Sequence, residues 1–152
     1  MEDNQEKNGE VKIATHVIHS LPPPLPGFSS DFKSIREWLL SICLNDHPGQ
    51  PIDTYSFGLF ESPKEYILSL VGENTYKEGG NYSITRIEFE PAIMYFKLPD
   101  GEYLNSSREE VLNKLIAELG EFFKSEQFAV SFLAQAKTIR FRTNGQVLWS
   151  AH

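Results

Sequence analysis

The 152-residue sequence has one cysteine, Cys43, so it can form neither an intrachain disulfide nor a cysteine-based metal cage. Cys43 falls inside an apolar helical pattern, and apolar surroundings raise a thiol's pKa, so it reads as a buried, inert thiol rather than a nucleophile. Histidines are scarce as well: His16, His19, His47 and His152. His16 and His19 stand three apart, which suits a helix face, yet their stretch is strand-like and sends them to opposite sides. No metal site is expected, and no cofactor. There is no GxSxG elbow, no Walker A loop and no GxGxxG pattern; Gly79-Gly80 is an isolated pair. Catalytic residues are therefore expected to be none. No apolar run approaches the roughly 20 residues of a membrane span. Residues 1–10 are polar and mostly acidic, without the basic-then-apolar order of a secretory leader, so the expected location is cytoplasmic, away from membranes.

Positive charge is also short. Fourteen Lys and Arg face 21 Asp and Glu, a net −7. Such a surface repels phosphate backbones, so no nucleic-acid role is expected. It suits solubility, or steering toward a basic partner. The deficit is concentrated in residues 61–110, whereas 111–152 carries a small positive excess.

Aromatic residues are plentiful: eleven Phe, six Tyr and two Trp, within a 40% hydrophobic composition. That supply implies a packed core. The length fits one domain, residues 11–152, behind a solvated tail over 1–10. Val11 to His19 reads as a strand. LPPPLPG follows and must be an extended connector, since each proline fixes φ and lacks an N–H. Ser29 or Ser30 is expected to cap a first helix, with Phe32, Ile35, Trp38, Leu39 and Ile42 on its buried face. Tyr55-Phe57-Leu59 and Tyr66-Leu68-Leu70 alternate as strands joined across ESPK, although Ser62-Pro63-Lys64-Glu65 also matches a capping box with proline at the first helical position. ENTYKEGGN reads as a loop or a longer hairpin turn. Tyr82 to Leu98 reads as one or two strands interrupted at Pro91. Asp100-Gly101 signals a turn, and Ser106 with Glu109 a capping box. The stripe Val111, Leu112, Leu115, Ile116, Leu119, Phe122 and Phe123 makes the second main helix. Residues 125–136 fit helix or strand, and a short helix is expected. Asn144-Gly145 between Thr138–Arg142 and Val147–Trp149 predicts a closing hairpin. The expected fold is α+β: an antiparallel sheet, two main amphipathic helices packed on it, and a C-terminal β-hairpin.

Glu88 and Glu90 share a strand face about 7 Å apart, a spacing compatible with paired-carboxylate chemistry but better explained as the wet side of an amphipathic strand. Arg140 and Arg142 share the outer face of the last hairpin, as a solvated pair or with acidic neighbours. Glu61, Glu65, Glu73, Glu78, Glu88, Glu90, Asp100 and Glu102 are interleaved with tyrosines. Tyrosine beside carboxylates is a composition of protein interfaces, although core tyrosines and solvating glutamates explain it as well.

The stretch YSFGLFESPKEYILSLVGENTY, the capped amphipathic helix after it and the terminal AKTIRFRTNGQVLWS hairpin resemble immunity proteins of bacterial polymorphic, contact-dependent toxin systems. The resemblance covers most of residues 52–150 and includes no diagnostic motif. It implies a small, acidic, non-catalytic toxin inhibitor that occludes a cognate toxin domain, often a basic nuclease. On that reading the contacts fall at exposed strand and loop positions, Glu73, Tyr82, Glu88, Glu90, Asp100 and Glu102. Two other classes stay open: a dimeric, acidic secretion-type chaperone for an effector, and an enzyme of an unrecognised family, whose mark would be a deep pocket with convergent polar groups.

Overall fold

A computed structural model describes residues 14–17, 21–25, 28–63, 65–77, 79–142 and 144–151; the expected tail over 1–10 lies outside them, as does most of the expected first strand. In chain order the elements are β1 (Ala14–Val17), α1 (Ile35–Asn45), β2 (Thr54–Ser62), β3 (Glu65–Lys77), β4 (Tyr82–Phe89), β5 (Tyr95–Lys97), α2 (Asp100–Tyr103), α3 (Arg108–Phe123), α4 (Glu126–Ala129), a 3-10 turn (Phe132–Gln135), β6 (Thr138–Phe141) and β7 (Val147–Ser150). The fold is α+β. Its seven strands form one sheet in the order β1-β4-β3-β2-β6-β7, with β5 added beside β3. The sheet is mixed rather than wholly antiparallel, because β1 runs parallel to β4 and β6 parallel to β2.

Local signals placed the hairpins. Ser62 and Glu65 pair directly across the ESPK turn. β3 runs on through Lys77, so most of ENTYKEGGN is strand and only its end turns, with Gly79 and Gly80 at positive φ. Pro91 separates β4 from β5, and these two short strands share one long neighbour: β5 pairs Ile67–Ser69, and β4 pairs Gly72–Lys77. Gly145, at φ 71, turns the chain from β6 into β7, while Asn144 Oδ1 accepts from Gln146 N.

Three boundaries differ from expectation. Ser34, not Ser29 or Ser30, caps α1, accepting from Glu37 N at 3.1 Å; Ser30 instead accepts from Lys97 N in β5. The capping box of α3 is Ser107 with Glu110, one residue later than expected, since adjacent serines and glutamates satisfy the same spacing. That register buries Val111, Leu115, Leu119 and Phe122 and leaves Leu112, Ile116 and Phe123 half-buried. Asp100-Gly101 opens the one-turn helix α2 rather than a turn between strands, with Pro99 at its N-cap. Residues 125–136 are helical in two short pieces, as expected.

The buried sides of α1, α3 and α4 meet Tyr55, Phe57, Leu68, Leu70, Phe96 and Phe141 of the sheet in one core. Trp38 is its centre. It is fully buried, stacks on Phe96 at 5.6 Å between centroids, and donates from Nε1 to Ile93 O at 2.7 Å. Strand alternation puts Ser56, Ser69, Val71, Glu73 and Thr85 on the opposite face. They are buried too, but outside that core.

Candidate functional site

The six residues expected to contact a partner do not form one surface. Glu73 is 2% exposed, so its expected exposure is corrected. Its Oε1 accepts from Ser56 Oγ at 2.6 Å and from Arg140 at 3.1 Å, while Arg142 Nε stands 3.5 Å from Oε2. The β2–β6 register sets this up. Ser56 pairs with Arg140 and Thr54 pairs with both Thr138 and Glu73, which brings the carboxylate diagonal to the arginine. Arg140 and Arg142 therefore bind an internal carboxylate rather than present a bare basic face.

Glu88 is half-buried and engaged. The register irregularity at Gly72/Glu73 lets it turn toward Asn74, Tyr76 and Gln50, all of which donate to its Oε1. These bonds, from Tyr76 first and then Asn74, hold its carboxyl below the usual carboxylate range. Tyr82 and Glu90 are exposed near the two ends of β4. Asp100 and Glu102 are exposed on α2, Asp100 facing Lys97 at 3.6 Å. Of the six tyrosines, Tyr55, Tyr66 and Tyr103 are buried; Tyr103 donates to Glu118. The expected interleaving of tyrosine and glutamate thus splits between interior and surface.

Two features went unnoticed in the sequence. The first is the outer side of the helical layer. Residues 100–126 hold seven acids against three bases, a net −4, and all seven acids are exposed. Helix α3 must bury one stripe, so its charges are forced outward. Its bases are occupied locally: Arg108 pairs with Glu61, Lys114 donates to Glu102 O, and Lys124 faces Glu121.

The second is a cleft of about 460 Å³ lined by residues 47–52, Tyr55, Val130, Phe132 and Gln135. One wall is the Pro-rich loop after α1. Asn74 fixes it by donating to Pro51 O at 3.0 Å and accepting from Asp53 N at 2.7 Å, and Asp46 holds Ala92 N. Phe132 forms another wall, 5.8 Å from Tyr55 and 6.3 Å from His47 between ring centroids. Burial pushes the Tyr55 phenol well above its ordinary value, and burial likewise raises the nearby Cys43 thiol against the lowering effect of Ser131. Both groups stay protonated at neutral pH, which makes them poor nucleophiles.

Among the described residues no three His, Cys, Asp or Glu side chains are grouped as a metal site requires, and no helix is long and apolar enough to cross a membrane. Fold and sites together define an α+β protein with an ion cluster inside one sheet face, an acidic helical exterior and a preformed cleft. No family model, curated protein or solved structure matches the chain.

Proposed function

We propose that this chain is a non-catalytic immunity protein that binds a cognate basic toxin domain and blocks its working surface. The acidic exterior of α2, α3 and α4 carries this reading. Seven exposed carboxylates on one helical layer draw a basic groove toward it, and charge complementarity of this kind accelerates encounter. The strand carboxylates serve other ends, Glu73 inside an ion cluster and Glu88 holding a loop, so docking centres on residues 100–126 rather than on β4. The upward shifts at Cys43 and Tyr55 favour binding over nucleophilic chemistry.

The test uses a triple variant, Glu102→Lys, Glu109→Lys and Glu121→Lys, with the toxin domain encoded beside it as partner. Association is expected to slow about tenfold or more at low salt and to approach the parent's rate at high salt. Far-UV circular dichroism should not change. Equal association rates at low salt would remove the helical surface from the interface, and lack of any complex would end the immunity reading.

A further inference from the structure

The cleft beside the loop over residues 47–52 has a property that docking by the helices does not use. Tyr55 is only 1% exposed and lines the cleft, so what it shows to the cleft is a small part of its side chain. Among the described residues Ser69 Oγ is the buried polar atom left without a partner, so the Tyr55 hydroxyl meets solvent in the cleft, and a ligand acceptor can take the place of that water. The rest of the lining narrows the ligand. Phe132 offers an aromatic wall and His47 stands beside it. Gln50 gives its amide N–H to Glu88, which leaves its carbonyl oxygen as an acceptor, and Gln135 adds a second amide. No Asp, Glu, Lys or Arg lines the cleft. A charged ligand would lose its hydration there without a counter-charge, so an uncharged one is favoured.

We infer that the cleft binds a small, uncharged aromatic molecule bearing a hydrogen-bond acceptor, with its ring against Phe132 and its acceptor on the Tyr55 hydroxyl. The volume lies within the roughly 300–1,000 Å³ typical of small-molecule sites. The walls are in place beforehand, because Asn74 and Asp46 tie the loop to the sheet without help from a ligand. This inference stands apart from the immunity reading, since its residues lie outside the acidic helical surface.

Benzamide is a suitable probe, with benzoate as its charged counterpart and toluene as an aromatic lacking the acceptor. Each is titrated into 15N-labelled protein and followed by amide shifts. Benzamide should saturate shifts at residues 49, 50, 52 and 130–135, and benzoate should bind roughly tenfold more weakly. Tyr55→Phe should weaken benzamide about fivefold while leaving toluene unchanged. Gly49→Trp, at a position with open space around it, should plug the cleft and abolish both. Absence of shifts in those segments overturns the inference. So does undiminished benzamide binding to the Tyr55→Phe protein. Shifts there that appear only with a protein partner would assign the cleft to a partner's side chain and overturn it equally.

Discussion

The two faces of the sheet are both buried, but by different means. On the helical side, Trp38, Phe57, Leu68, Phe96 and Phe141 interlock as large apolar groups, and polar atoms such as Trp38 Nε1, which donates to Ile93 O, are tied at their edges. On the other side, Ile67, Val71 and Ile87 are buried together with polar groups, Ser56, Ser69, Glu73 and Thr85, with Arg140 and Arg142 closing on the carboxylate. The first face gains from area removed from water, a non-directional term. The second adds polar groups that depend on directional partners, and any of these without one is a loss. The lesson is that burial alone does not say what a residue contributes.

Substitutions sharpen that contrast. Trp38→Ala should be the most damaging, costing about 3–5 kcal/mol in urea unfolding, because it opens a cavity against Phe96. Glu73→Ala should cost about 3 kcal/mol by the same measurement, as it leaves two arginines side by side without a counter-charge. The low end of the buried-pair range applies because Arg140 keeps contact with water. Ser69→Ala should go the other way. Its hydroxyl is buried without a partner among the described residues, so removing it should stabilise by about 1 kcal/mol. A loss on Ser69→Ala would mean that the polar face has pairing not seen here, and a neutral Glu73→Ala would mean that its ion cluster is ornamental.

What could be read in the sequence was what is local. The ESPK and Asn-Gly turns declare themselves within a few residues, and the α3 stripe is seven apolar positions at helical spacing. Cap positions slipped because Ser29, Ser30 and Ser34, or Ser106 and Ser107, present the same chemistry at neighbouring positions. The fate of Glu73 needed the β2–β6 register, a pairing between segments far apart in the chain. Arg140 and Arg142, two apart on a strand facing an acid-rich middle, were the signal; only the strand order says which acid they meet. The cleft was illegible for the same reason, being assembled from the loop after α1 and the 130–135 segment. The acidic exterior of α3, by contrast, follows from placing its apolar stripe and reading what remains.

The parallel pairing of β2 with β6 has a consequence for how the chain is made. Thr54 and Thr138, 84 positions apart, touch through their hydroxyls at 3.2 Å. At about 5–20 residues per second, a ribosome needs on the order of ten seconds to span that gap. During this interval the β2–β3 hairpin has an open edge on β2, a template for adhesion between nascent chains. Conditions that slow translation between Ser62 and Thr138 should therefore lower the soluble yield more than equal delays upstream of β2.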